Sequence, residues 1–205
     1  MAPVVIWITC RDYERYLKLS LSSAIAQSVI PTRIYIAHDN CGKANPVGAA
    51  ANRNKVFAFD VGVKYIMFLD ADDVLPANYL EELLKVANGA DCVVTCPAQL
   101  MGDENRFVPV HTPITLDTLL EGNTIHCSAL IPYEKFKEAG GFDPLLPSHE
   151  DWDLWLRMSL LGVEFRNCTS THLLYRRHEG SRSSQNRENF WKMKQQFQSQ
   201  YQKVN

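Results

Sequence analysis

Three aspartates within four residues, Asp70-Ala71-Asp72-Asp73, follow directly on the apolar run Tyr65 to Leu69. Mutual repulsion at the end of a buried strand would raise their pKa values unless a cation offsets it, and a hard divalent metal is the natural offset. The plainer reading is helix capping, but with Pro76 as the first helical position these aspartates lie too early to cap well. The pattern favours metal or nucleotide binding. A second acidic pair, Glu150-Asp151, precedes Trp152 and Trp155 at a helix start. Here Ser148-His149-Glu150-Asp151 has the form of a capping box, and a helix N-terminus favours the charged carboxylate, which weakens it as a base unless apolar neighbours desolvate it. On residue chemistry alone, cap and base both stand. Tyr175-Arg176-Arg177-His178 gathers hydrogen-bond donors after a strand-like run, a pattern equally suited to anion binding and to a solvated basic turn. Phe190, Met193, Phe197 and Tyr201 recur at helical spacing and read as core packing before an acceptor or membrane surface.

The elements that position these residues alternate. Val4 to Ile8 is β-branched and apolar without alternation, as in a parallel strand buried on both faces. A helical face of Tyr13, Leu17, Leu21, Ala24, Ile25 and Val29 follows and Pro31 closes it. Next come a strand at Arg33 to Ala37, the polar loop His38 to Gly42, a helical stretch at Val47 to Val61 and the strand Tyr65 to Leu69. A helix opened by Pro76 and a strand at Asp91 to Cys96 complete the first half. Beyond it the spacing predicts a strand near Arg106 to Val110, a helix at Thr115 to Glu121 and a strand at Ile125 to Pro132. A helix through Phe136, a helix at Glu150 to Leu161, a strand at Val163 to Asn167 and a last helix from about Asn189 follow. This alternation predicts an α/β sheet with polar loops at the carboxyl ends of its strands, where ligands bind.

Composition narrows the field. The chain has 205 residues, 46% hydrophobic and 21% charged, a globular composition of a length that fits one domain. A net charge of -2 supplies no field for nucleic acid, so a nucleic-acid partner is not expected. Six cysteines without a C-x-x-C pair read as buried thiols in a reducing, cytoplasmic setting, and no stretch approaches the ~18 apolar residues of a transmembrane segment. There is no G-x-G-x-x-G, no P-loop and no G-x-S-x-G, so dinucleotide, P-loop and α/β-hydrolase chemistries lack support.

Taken in order, the pieces resemble a family 2 glycosyltransferase of the GT-A fold. They are Val4 to Ile8, the Asp12 to Leu17 helix start, Ser23 to Gln27, His38-Asp39-Asn40, Asn52-Arg53-Asn54 and Phe68 to Asp73. Gly140-Gly141-Phe142-Asp143, Glu150 to Arg157 and Tyr175 to His178 complete the series. The resemblance implies a single domain with a mostly parallel, Rossmann-like sheet and helices on both faces. Residues 1–97 would form the nucleotide-binding half, 98–185 the acceptor-binding and catalytic half, and 186–205 a C-terminal helix.

The same resemblance assigns roles. Asp39, Arg53, Asp70 and Thr9 would bind the nucleotide, Thr9-Cys10 standing where the family reads proline-threonine. Asp70 and Asp72 match the D-x-D motif, with Asp72 and His178 as metal ligands. Asp151 would be the catalytic base, and Glu150, Trp152 and Asp73 would border the acceptor and donor sugar. The implied activity is metal-dependent, inverting transfer of a sugar from a nucleotide sugar, UDP-linked in most of the family, to a hydroxyl of a glycan, lipid-linked or other acceptor. An oxygen-rich site with one imidazole suits Mn²⁺ or Mg²⁺. Two other classes share parts of the pattern: a nucleotidyltransferase, which would call for a glycine-rich loop absent from Thr9 to Asp12, and a non-catalytic nucleotide-sugar or glycan-binding module.

Overall fold

A computed structural model describes residues 2–11, 13–39, 47–59, 62–179 and 189–201. Its centre is a six-stranded sheet in the order β2-β1-β3-β7-β4-β8. These strands are β1 (Ala2–Cys10), β2 (Pro31–His38), β3 (Tyr65–Asp70), β4 (Val93–Thr95), β7 (Leu130–Pro132) and β8 (Phe165–Asn167). β1 pairs in parallel with β2 and β3, and β4 with β8, while β7 runs antiparallel between β3 and β4. A second sheet, β6-β5-β9, joins β5 (Ala98–Gly102), β6 (Phe107–Val108) and β9 (Leu173–Arg177).

The unbroken apolar run of β1 has a direct physical cause, since successive side chains feed opposite faces. Val5 and Trp7 join Ile66 and Phe68 of β3 in one core, and Val4, Ile6 and Ile8 join Met67 and Leu69 in the other. The first core is covered by α4 (Leu116–Glu121), α5 (Tyr133–Glu138), α6 (Glu150–Leu160) and α7 (Phe190–Tyr201), the second by α1 (Glu14–Ile25) and α3 (Tyr79–Ala87). The Phe190 stripe is packing: Met193, Phe197 and Tyr201 are buried in the first core. Helix α2 (Ala49–Asn54) runs into a 3-10 turn at Lys55–Ala58, shorter than the helix expected over Val47 to Val61.

The Ser23 to Gln27 segment explains itself in the loop after β3. Ser23 Oγ accepts from the Leu75 amide at 3.1 Å and donates to the Ser20 carbonyl at 2.7 Å. Gln27 donates to the Pro76 carbonyl at 2.8 Å and accepts from the Leu80 amide at 2.8 Å, so α1 terminates the orphan donors of α3. That tie accounts for α3 starting at Tyr79 rather than at Pro76.

Two further expectations are corrected. The strand expected over Ile125 to Pro132 is confined to Leu130–Pro132, because side chains take the earlier carbonyls: Trp155 Nε1 donates to Ile125 and the Tyr79 hydroxyl to Ser128. β5 was not expected, although Ala98 and Leu100 alternate inward against Gln99 and Met101. Among the described residues no helix is long and apolar enough to cross a membrane, and Cys10, Cys92, Cys96, Cys127 and Cys168 are buried thiols outside any disulfide.

Gln27 is 5% exposed, so Gln27→Ala takes the side-chain acceptor from the Leu80 amide and one of two donors from the Pro76 carbonyl, which keeps the Tyr79 amide. Urea unfolding should show a loss of about 1–3 kcal/mol; an unchanged midpoint would mean that water takes over both bonds.

Candidate active site

The carboxyl ends of β1 and β3 are in register, with Thr9 opposite Asp70. Thr9 Oγ1 donates to Asp70 Oδ1 at 2.7 Å. Arg53, from α2, donates through Nη2 to both Asp70 oxygens at 2.8 and 3.1 Å and through Nη1 to Glu150 Oε1 at 2.8 Å. The Cys127 sulfur closes the group, 3.5 Å from Arg53 Nη2 and 3.5 Å from Asp70 Oδ2. The guanidinium also lies 5.3 Å from the centroid of the Phe142 ring.

The Gly140-Gly141 pair serves this arrangement. Asn54 donates to the Phe142 carbonyl at 2.7 Å and accepts from its amide at 3.0 Å. A Cβ on Gly141 would fall 2.7 Å from Asn54 Oδ1 and 2.7 Å from the Phe57 ring, and the backbone there has φ +74°. Only glycine permits both the conformation and the approach.

Electrostatics divides the carboxylates. Burial alone would raise Asp70, but the Arg53 charge and the Thr9 and Arg53 hydrogen bonds outweigh it and hold Asp70 below the usual range. Arg53 shows the converse: burial works against its charge, yet Asp70, Cys127 and Glu150 keep it raised. Asp151 carries no comparable ion pair. Burial, with the neighbouring Glu150 charge, pushes it up to about 6. Its Oδ1 accepts from the Trp152 amide at 2.8 Å and its Oδ2 from Asn123 Nδ2 at 3.2 Å.

The capping box expected at Ser148 is not formed. His149 holds the N-cap position in the left-handed region at φ 60° without a side-chain cap, and the Ser148 hydroxyl turns to His149 Nδ1 at 2.8 Å. Thr115 and Thr118 form a capping box at α4 instead. Asp151 is thus released to a cavity of about 440 Å³ whose lining includes Arg53, Asp70, Asn123, His126, Glu150 and Asp151.

At the outer side of the D-x-D loop, Asp72 Oδ2 lies 3.3 Å from His178 Nε2. Burial, then the Asp70 charge, raises Asp72. His178 Nδ1 is 2.9 Å from the Glu179 carbonyl, which orders the ring with Nε2 toward Asp72. A ligating histidine orders its other nitrogen in this way, so a carboxylate and an imidazole set side by side fit a divalent metal. His178 is packed between Tyr13 and Tyr16, with ring centroids at 5.1 and 5.4 Å.

The remaining expected residues divide. Asp39 is 2% exposed and accepts from the Val47 and Gly48 amides at 2.7 and 3.1 Å, which anchors the start of α2. Two expectations for the sugar region are corrected. Trp152 is fully buried, its Nε1 donating to the Leu119 carbonyl at 2.6 Å and its ring stacked on Phe190, so it is core. Asp73 is 2% exposed and its Oδ1 accepts from the Arg176 amide at 2.8 Å, so it ties the loop to β9. Asn123, His126 and Cys127 were missed; the signal was the polarity of His126 and Cys127 inside the stretch Ile125 to Pro132 read as a strand, and of Asn123 just before it. Asn40, Asp12 and the Gly180 to Ser184 segment lie outside the described residues.

Residues 41–142 match the family described as Glycosyl transferase family 2. An uncharacterized glycosyltransferase of Rickettsia bellii is 25% identical over 186 residues, 76% of this chain and 27% of that protein. One from Rickettsia typhi is 25% identical over 183 residues, 75% of this chain and 58% of that protein. The chain thus spans well under two thirds of these relatives. S. aureus TarS 1–349 in complex with UDP-GlcNAc superimposes with a TM-score of 0.74 at 15% identity, covering 90% of this chain and 61% of that chain. Its complex with UDP gives 0.71 at 14% identity, covering 86% and 61%.

Arg53→Met should destabilise the fold by about 3–5 kcal/mol, because it strands two carboxylates that the guanidinium now pairs. Asp70 has a folded pKa below its unfolded value, so its contribution is present above the unfolded value and is lost as pH falls through the folded one. The deficit of the variant should therefore shrink as pH falls below the carboxylate range. Urea midpoints of both proteins across that range are the check; a pH-independent deficit would assign the loss to packing.

Proposed function

We propose, for a chain that belongs to glycosyl transferase family 2 and has the GT-A fold, metal-dependent transfer of a sugar from a UDP-linked donor to an acceptor hydroxyl with inversion at the anomeric carbon. One observation carries the reading: a carboxylate raised to about 6, Asp151, opens on a cavity shared with the Arg53–Asp70 pair at the carboxyl ends of the central strands. A base poised near 6 is ionised at neutral pH yet still basic enough to take a proton in a transition state.

Asp151 accepts the proton of the acceptor hydroxyl as that oxygen bonds to the anomeric carbon. The bond from that carbon to the nucleoside diphosphate breaks on the opposite face, and its electron pair leaves with the diphosphate. Asn123, donating to Asp151 Oδ2, orients the base with its other oxygen held by the Trp152 amide. Thr9, Asp39 and Asp70 form the nucleotide end, and Arg53 contributes by holding Asp70. Asp72 and His178 would hold Mn²⁺ or Mg²⁺, which supplies positive charge to the diphosphate when bound. Glu150, paired with Arg53, borders the donor sugar and sets the charge around Asp151.

Residues 1–97 then act as the nucleotide half and 98–185 as the acceptor half, while α7, within 186–205, packs on the first core. The donor reading is supported by the UDP and UDP-GlcNAc complexes of the structural neighbour. The acceptor is a glycan, lipid-linked or other hydroxyl compound, and five buried thiols outside any disulfide accord with a reducing, cytoplasmic setting.

Asp151→Asn should lower turnover by roughly 10²–10⁴ while UDP binding persists, and wild-type turnover should rise with pH to a plateau above about 6 as Asp151 ionises. Transfer rates from UDP-GlcNAc across pH test both; a variant with wild-type turnover removes Asp151 from the chemistry. Calorimetric titration of UDP should show tighter binding with Mn²⁺ than without it, and Asp72→Asn should remove the difference. Equal affinities in the wild type would reject the metal assignment.

A further inference from the structure

Beside Thr9 and Asp39, the carboxyl ends of β1 and β2 bring together a second set of ligating side chains. Cys10 and His38 are partners at the last position of the parallel ladder, and Glu14 opens α1 shortly after β1 ends. One donor atom from each, the Cys10 sulfur, a Glu14 carboxylate oxygen and a His38 ring nitrogen, lies within 4.8 Å of the other two. Cys10 is fully buried and the other two are exposed, so the thiol forms a floor and the carboxylate and imidazole a rim. The first turn of α1 favours an ionised Glu14, as a ligand must be.

The distances fit a small ion. Tetrahedral zinc with bonds of about 2.0–2.3 Å holds its ligand atoms roughly 3.3–3.8 Å apart. Rotation of two exposed side chains closes the remaining gap, with the strand register already fixing Cys10 beside His38. Donor chemistry selects among metals. Mg²⁺ and Mn²⁺ suit oxygen-rich shells without thiolate, whereas thiolate, imidazole and carboxylate together suit zinc. Asp72 and His178, by contrast, offer no sulfur.

We propose that Cys10, Glu14 and His38 bind one Zn²⁺ ion, with the fourth position open to water or a small ligand. Binding releases the Cys10 thiol proton and is therefore weaker at low pH. The proposal does not rest on the glycosyl-transfer reading, because its three ligands carry no role in that reading and its test follows metal binding rather than turnover.

The experiment titrates the chelator-treated full chain with Co²⁺ and follows absorption, then displaces the cobalt with Zn²⁺. The expected result is a thiolate-to-cobalt charge-transfer band that zinc removes at one equivalent. Cys10→Ser should abolish the band, and Cys127→Ser and Asp72→Asn should leave it intact. Because Cys10 is buried, His38→Gln and Glu14→Gln, both at exposed positions, supply variants that keep the fold. His38→Gln should weaken zinc binding by more than the roughly 10–100-fold that even an outer-shell change costs. Absence of the band, its survival in both Cys10→Ser and His38→Gln, or its loss in Cys127→Ser would overturn the proposal.

Discussion

One guanidinium joins the two parts of the cleft. Arg53 leaves α2 and meets Asp70 at the end of β3 and Glu150 at the start of α6, residues separated by 17 and 97 positions in the chain. Its own side chain is 5% exposed. A buried cation of this kind is tolerated only when paired with opposite charge, and its partners in turn are tolerated only in its presence. The start of α6 is therefore placed by charge as well as by packing, and so is Asp151. Gly141 and Asn54 serve the same end, bringing the Phe142 backbone and ring against the residue next to Asn54 and over Arg53.

Three aspartates in four residues meet three environments. Asp70, held by Arg53 and Thr9, stays ionised; Asp72 is raised by burial and by Asp70, and faces His178; Asp73 is raised further by burial and by both neighbours while its carboxylate ties to β9. A single local pattern thus supplies a fixed anion, a carboxylate facing an imidazole and a structural tie. The differences arise from elements far away in sequence: α2, the end of β9 and the Arg176 amide.

The alternation of strands and helices through Cys96 was legible because strands buried on both faces leave continuous apolar runs, as β1 and β3 do. The place of Asp70 and Asp72 at the end of β3 was legible because the acidic cluster follows an apolar run, and that of Asp151 because the acidic pair precedes a helical face. What sequence could not supply were long-range ties. Trp152 looked like a sugar platform until Leu119 and Phe190 enclosed it. Cys127 lay inside, and Asn123 just before, an apparent strand whose carbonyls at Ile125 and Ser128 are taken by Trp155 and Tyr79. The Ser148 cap failed because His149 adopts a left-handed backbone that turns the serine hydroxyl to its own neighbour, which no local pattern encodes.

The central claim is that burial beside Glu150 raises Asp151 into the range of a base for neutral pH. Site-specific carbon NMR titration of the Asp151 carboxyl, in the wild type and in Glu150→Gln, measures this directly. The account predicts a midpoint of about 6 in the wild type and a lower one in the variant, since the Glu150 charge is removed. An ordinary midpoint near ~4 in both proteins would contradict it.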